Sequence, residues 1–499
     1  MRAAPGGGHG TARGDATAAF VVAAGGCVAL SAWIFAHGPI LATRYWLLGE
    51  LALWALGWVV ATVAALRLPR RRAIVLVVGA AVALRLVALG GPPSTSDDLY
   101  RYSWDGRVQS AGVDPYAEPP DNPAVAHLRE AWLWPDAAAC SAIKRPPGCT
   151  RINRPSARTI YPPVAEAWFS AVYRVAGIGA HHKAWQVAGL VTDLGVVALL
   201  LSGLRRWGRD PRWVALYALS PAPVTEVVNN GHVDGLAVLL VVAALVVVAP
   251  PVRIRPHRCQ STGWLSGPWR DAAAGGLIGA AALVKLFPVV LLVALVGVAG
   301  RRRVAVLMRS GAAALAVAGA GYLPHVLAVG PKVLGYLPDY LREEHYDKGG
   351  RFLLAGALGV GSRWSGPLSV LALIVVVVWA LVRRPSAPVA ASAVLGALFL
   401  ASTPVQPWYA VSLLAVATIA ARPAWAVVVV AGYPYFFAVI LDNRHVVGIG
   451  RAAYGLALAV VVTGAITGAV SSGDRRASRL GPERPSRAGG AGPERPSRG

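Results

Sequence analysis

Charge is scarce in this chain. Asp, Glu, Lys and Arg together make up 14% of its 499 residues, where a soluble protein carries roughly 25%. That excludes a soluble enzyme and a disordered scaffold. A single-span receptor is excluded by the 56% of apolar residues, which suffice for about 13 or 14 spans of about 20 residues each. Acid is the rarer sign, with 24 Asp and Glu against 48 Lys and Arg, and only 5 of the basic residues are lysine. The resulting net charge of +24 admits nucleic acid as a partner until the positions of the charges are read. Cysteine is limited to Cys27, Cys140, Cys149 and Cys259, without the CxxC spacing of a zinc site. The opening MRAAPGGGHGTARGDATAAF runs into an apolar stretch with no clear cleavage site, so that stretch reads as a first span rather than a removed signal peptide.

What is present is a succession of apolar runs, at 16–36, 46–66, 73–90, 184–204, 213–227, 235–250, 272–284, 286–300, 304–325, 367–382, 386–402, 408–421, 424–440 and 450–470. The expected fold is an all-α polytopic integral membrane protein. The connections sort by sign. Arg67 to Arg72, Arg205 to Arg212, Arg253 to Arg270, Arg301 to Arg303, Arg383 with Arg384, and Arg422 form one basic set. Thirteen of the 24 acids lie in two long loops of the other set, 91–183 and 326–366. The positive-inside rule puts the arginine-rich turns in the cytoplasm, both termini inside and both long loops outside. The expected divisions are a cytoplasmic tail over 1–15, a membrane domain over 16–470 and a basic tail over 471–499. That tail repeats GPERPSR at 481–487 and 492–498, a composition expected to be disordered, with anionic membrane lipid as its mild partner. Positive charge spread over short turns and a tail, rather than along one groove, excludes nucleic acid.

Some runs are short for a span. Those at 272–284 and 286–300 would each cover about 20–23 Å of a roughly 30 Å core. Lys285 sits at the tip of the hairpin they form. The 213–227 and 235–250 pair is similar, with Glu226 to Asp234 at its tip. Polar tips on short helices predict a wet cavity sunk into the membrane from the outer side.

The first long loop opens GPPSTSDDLYRYSWDGRVQSAGVDPY over Gly91–Tyr116. Asp97 and Asp98 fall at the membrane boundary, where partial burial suits a carboxylate for general-base work. The plainer alternative is a helix start capped by Ser96 or Asp97. Further on, Pro162 and Pro163 fit the start of a helix over 164–176. Its apolar stripe is Val164, Trp168, Val172 and Val175, with Glu166 and Arg174 off the stripe, as in an amphipathic helix lying on the surface. Cys140 and Cys149 share this loop, and an oxidising exterior favours a disulfide between them. Asp193 lies mid-span, where an ionisable group faces a cavity or a partner.

Several elements follow in a fixed order: Asp98-Leu99 with Tyr102, Trp104-Asp105-Gly106, Gly112 to Tyr116, Tyr161-Pro162-Pro163, Asn230-Gly231-His232-Val233-Asp234, Lys285-Leu286-Phe287-Pro288 and Gln406-Pro407-Trp408-Tyr409. In these, over about 90–450, the chain resembles the GT-C superfamily of polyprenyl-phosphate-sugar-dependent glycosyltransferases. It looks most like glycosyltransferase family 87 and the related α-mannosyltransferases of the actinobacterial cell envelope. Three spans precede the catalytic loop here, where the minimal pattern has one.

The resemblance implies a GT-C-type helix bundle with juxtamembrane helices in a large extracytoplasmic first loop. It implies transfer, with inversion, of a sugar, mannose by family, from a polyprenyl phosphate to a glycolipid or envelope glycan. Asp98 matches the Asp-Leu-x-x-Tyr spacing and is the expected general base, with Asp97 in reserve. Lys285, Arg101, Arg107 and Arg351 are the cations expected to meet the leaving phosphate; a lysine near a helix end also snorkels for no catalytic reason. Asp105 would orient Arg107 or bind a sugar hydroxyl. Asn230, His232 and Asp234 would bind a sugar, or form a polar turn. Tyr102, Trp104 and Tyr161 join the substrate set, and Gln406, Trp408 and Tyr409 would stack on a sugar ring or serve as an interfacial belt. The loop 326–366, with Tyr336, Asp339, Tyr340, Glu343, Glu344, His345 and Arg351, would cover the acceptor. No cofactor is expected, since the lipid-linked sugar is a substrate, and no clear metal-ligand set stands out. Two rivals remain at this stage. A transporter or lipid flippase would place ionisable groups near the midplane, as Asp193 alone does. A lipid-diphosphate-dependent glycan polymerase or ligase would also carry outer loops with Arg and His.

Overall fold

The computed structural model describes residues 8–40, 46–143, 145–179, 181–250, 267–297, 299, 302–346 and 351–477. Residues 1–7 and the GPERPSR repeats fall outside that set. Among the described residues the regular structure is all helix, without a strand. Among the described residues the apolar runs lie mostly on helix, and faces carrying Val22, Leu327 and Val382 stay exposed, as suits helices whose solvent is lipid.

Seven helices are long and apolar enough to cross a bilayer, the first at Gly14–Ala36 and the last at Val446–Thr467. Pro223–Asn229 and Asp234–Val247 pass the same test only together, bent by 116°, and make an eighth. The expected thirteen or fourteen crossings thus reduce to seven or eight by length and composition among the described residues. Ala387–Ala401 has 15 residues and Pro407–Ala420 has 14, about 22 Å of helix at most. Arg70–Ala88 is longer but carries four arginines. One of them, Arg85, is fully buried and paired with Asp193 at 2.5 Å, and Asp193 also accepts from Tyr217 at 2.6 Å. The mid-span acid therefore has a dedicated cation and hydroxyl, as the cost of a bare charge there demands.

Two short helices form a platform at the end carrying the long loops, Asp98–Ser110 and Pro163–Ala176. Gly106 allows them to touch: a Cβ there would lie 2.6 Å from the Phe169 carbonyl. The inward face of the second helix is Ala165, Glu166, Phe169, Ser170 and Tyr173, while Val175 is exposed. Val164, Trp168 and Val172 of the expected stripe are half-buried against the cluster that holds Ala165 and Phe169, while the face bearing Glu166 is the fully packed one. Glu166 has polar partners below it, Thr159 at 2.6 Å and Gln109 at 2.9 Å, which an apolar stripe could not satisfy. The helix is anchored where Val164 and Ala165 donate to the Leu283 carbonyl, at 3.0 and 3.1 Å, two residues before Lys285. Cys140 and Cys149 are joined.

The last turns of Arg303–Val329 and the segment after it are tied across the first loop. His325 meets Asp114 at 2.7 Å, Lys332 meets Glu118 at 3.2 Å, and Tyr336 donates to the Thr159 carbonyl at 3.3 Å. Gly335, at φ 52°, crosses so closely that a Cβ would collide with that same carbonyl.

Candidate active site

These contacts enclose a cavity of about 390 Å³ between the first loop, the Lys285 hairpin, the 336–346 segment and the start of Pro407–Ala420. Of the expected residues, Asp98, Arg101, Tyr161, Lys285, Gln406, Trp408 and Tyr409 line it, joined by Tyr336, Tyr340 and Glu344 of the loop expected to cover the acceptor. Leu286, Phe287, Leu337 and Leu341 give it an apolar wall, and Leu286 and Leu341 are about half exposed beyond it.

Asp98 opens the first helix of the platform. One oxygen accepts from Asn153 Nδ2 at 2.8 Å; the other lies 3.4 Å from the Tyr161 hydroxyl and 3.7 Å from His232 Nε2. Asn153 also donates to Asp97 at 3.0 Å, so one amide spans both carboxylates. Asp97 does not line the cavity and faces Arg145 at 3.5 Å. Its partly desolvated position, and then the adjacent negative charge of Asp98, push its pKa above the usual carboxylate value. As for capping, Asp97 makes no side-chain cap, while Ser96 Oγ accepts the Asp98 N–H at 3.2 Å.

Lys285 is the cation best placed in the cavity. Its ammonium lies 4.8 Å from the Tyr161 ring and 4.9 Å from the Tyr409 ring, with Asp234 at 3.8 Å as counter-ion. Two electron-rich faces and a carboxylate hold a positive charge in place where free snorkelling would let it wander. Arg101, Arg154 and Arg158 add positive charge along the wall.

Several expected contacts fall elsewhere. Trp104 is core: it is buried with Val108, Leu128 and Ile152 and packs edge-on to Trp134. Tyr102 is buried, stacked on Phe169 at 4.3 Å and edge-on to Tyr161. Asp105 orients Arg101, at 2.9 Å, rather than Arg107; helical spacing of four places 101 above 105, whereas 107 turns away to Glu130 at 3.6 Å. Burial raises the pKa of Asp105, and burial followed by the Asp105 charge raises that of Glu166 well above its ordinary value. Arg351 lies behind the wall, paired with Glu344 and donating to the Pro404 carbonyl at 2.9 Å. His345 is exposed, at φ 56°, outside the cavity lining.

The turn at 226–234 is not a wet tip. Glu226, Asn229, Asn230, His232 and Asp234 are all buried. Asn230 Oδ1 accepts the backbone N–H groups of Ser94 and Thr95, both at 3.0 Å, and its Nδ2 donates to Thr95 Oγ1 and to Glu226. Asn229 accepts from Ser94 at 2.9 Å and donates to the carbonyls of Ala88 and Pro92. The two asparagines thus pin the strand of loop that carries Asp97 and Asp98. His232 sits beneath Asp98, stacked on Trp408 with ring centroids 4.4 Å apart.

A model of glycosyltransferase family 87 matches residues 159–407. The chain belongs to that family. Neither a curated protein nor a solved structure matches it. Family 87 membership makes the protein a glycosyltransferase, and its apolar helices make it a multi-pass membrane protein. The family 87 region takes in Tyr161, the 226–234 turn, Lys285 and Gln406, and begins after Asp98. The cavity draws the two together, since Tyr161 and Lys285 from that region share it with Asp98. Asn153, Arg154, Arg158 and Leu337 also line it and are not singled out by pattern as ligands. Asn153 lies between two arginines in a segment without periodicity, and only the fold brings it to the carboxylates.

Proposed function

We propose that this glycosyltransferase moves a sugar, mannose by family likeness, from a polyprenyl phosphate to a glycolipid or envelope glycan on the outer face, with inversion. The observation that carries the reading is one cavity holding both a hydrogen-bonded carboxylate, Asp98, and a caged ammonium, Lys285, beside an apolar wall. Asp98 removes the acceptor hydroxyl proton as the acceptor oxygen attacks the anomeric carbon. The bond to phosphate oxygen breaks, and charge grows on the lipid phosphate, where Lys285 and Arg101 meet it. The wall of Leu286, Phe287, Leu337 and Leu341 suits the first units of a polyprenyl chain entering from the bilayer. The positive-inside rule, applied to the arginine-rich turns, supports the outward placement. A lipid-borne donor also fits turns too short to house a nucleotide-binding domain.

The test supplies membranes bearing the protein with labelled polyprenyl-phosphate mannose and an envelope lipid extract. Label should appear in a new glycolipid with inverted anomeric configuration. Transfer from nucleotide sugars, with every polyprenyl-phosphate sugar inert, would contradict the donor class; transfer from the glucose, galactose or arabinose donor instead would move the sugar and keep the class.

A further inference from the structure

Behind Asp98 lies a buried chain of polar groups that ordinary packing does not require. His232 is 1% exposed, and Glu226 is fully buried. His232 Nδ1 is 3.0 Å from the Glu226 carbonyl and 3.4 Å from Glu226 Oε2. The carbonyl only accepts. The carboxylate is itself surrounded by donors, Tyr433 at 2.8 Å and Asn230 at 3.0 Å. Nδ1 must therefore carry the hydrogen, which leaves the lone pair on Nε2. Nε2 faces Ser96 Oγ at 3.0 Å and Asp98 Oδ2 at 3.7 Å. Ser96 accepts the Asp98 N–H, so its own hydrogen is free to point to Nε2. Trp408 covers the ring on one side. The charged groups facing the imidazole are Asp98, Glu226 and Asp234, the last offset by Lys285 at 3.8 Å.

We infer that His232 receives the proton that Asp98 takes from the acceptor hydroxyl, and that Glu226 is the positioning residue that holds the imidazole for it. This rests on the reading of Asp98 as general base. In the step, the acceptor O–H breaks as the new glycosidic bond forms, and the electron pair of the old bond leaves on the lipid phosphate. The Ser96 hydroxyl turns off the Nε2 lone pair and the 3.7 Å gap closes, and the proton passes from Asp98 Oδ2 to His232 Nε2, restoring the Asp98 carboxylate. The imidazolium is balanced by Glu226 until the proton departs to the phosphate monoester or to water as product leaves. A lone carboxylate would keep the proton beside the new bond, in position to be returned; the buried base behind it removes that route.

The test uses full-length protein in lipid nanodiscs, with polyprenyl-phosphate mannose and acceptor extract, in single-turnover measurements across pH. The variants are His232→Asn, Glu226→Gln and Asp98→Asn. Asn at 232 keeps a donor toward Glu226 and removes the proton acceptor at Nε2. The expected loss in kcat for His232→Asn is on the order of 10²-fold, the lower range of general-base effects, with KM within about threefold. Wild type needs both Asp98 and His232 unprotonated at the start, so its acid limb should have a slope of about two, falling to about one in His232→Asn. Glu226→Gln should lose about tenfold and keep the steeper limb. A merely structural histidine would lower activity without changing that slope, and this result would overturn the relay, as would a His232→Asn variant within about threefold of wild type. An active Asp98→Asn variant would overturn base and relay together, whereas loss in Asp98→Asn alone sinks only the relay.

Discussion

Replacing Asn230 by Ala separates a tether from a sugar ligand. Asn230 Oδ1 holds two backbone N–H groups. Ser94 keeps a second acceptor in Asn229, so the Thr95 N–H alone is orphaned. A buried unsatisfied donor costs about 1–3 kcal/mol, and losing a hydrogen bond to a charged acceptor, here Glu226, costs about 1.5–3 kcal/mol. Tyr433 still serves Glu226, so the second contribution belongs at its low end. The loss should total about 3 kcal/mol, concentrated three residues before Asp98. A shift of about 1 Å in a reacting group costs on the order of 10²-fold. The single-turnover assay should thus show kcat down by about that factor, donor KM within about threefold, and a lower thermal midpoint. Asn230→Asp keeps both acceptor contacts and should retain the loop while setting a second carboxylate against Glu226. If Asn230→Ala instead raises KM with kcat and midpoint unchanged, Asn230 touches substrate and the tether account is wrong.

Two further predictions concern charge. Lys285→Met should lower kcat by about 10²–10³-fold, the range for removing one transition-state donor, and Lys285→Arg should recover part of it; an unchanged kcat in the Met variant would remove Lys285 from the chemistry. That variant also strands Asp234, which is buried with both oxygens free of hydrogen bonds, so adding Asp234→Asn should restore stability without restoring rate. Glu166 has a folded pKa raised by burial and by Asp105. Its contribution to stability is complete below the ordinary carboxyl pKa and is lost as pH rises through the folded value. Glu166→Gln cannot ionise, so its melting temperature relative to wild type should climb as pH rises above the ordinary carboxyl value; a constant difference would contradict the shift.

What could be read in advance was whatever local composition controls. Apolar runs become helices because the bilayer leaves the backbone no other partner. Lys285 stands out because an ammonium between two short apolar runs must face something polar, and Tyr161 and Tyr409 are near its motif partners in the pattern. Residues whose surroundings depend on distant partners are not legible in this way. Asn230 reaches backbone 135 positions away, which no spacing encodes. Trp104 and Tyr102 fall in a polar and aromatic cluster that suggests substrate contact, yet Val125, Leu133 and Phe169 arrive from later in that loop to bury them. The apolar stripe of Pro163–Ala176 does not reveal that Glu166 is buried, because its partners Thr159 and Gln109 lie outside the helix. Arg107 and Asp105 were paired by proximity in sequence, when helix geometry favours Arg101.

The most direct test of the account sets Asp98→Asn beside Asp97→Asn in the labelled-mannose transfer assay. Asn keeps the shape and removes the basicity. Asp98→Asn should lose about 10²–10⁴-fold in kcat, with donor binding retained, while Asp97→Asn, outside the cavity and facing Arg145, should keep most of its rate. Full activity in Asp98→Asn, or loss confined to Asp97→Asn, would contradict the assignment of the base on which the mechanism is built.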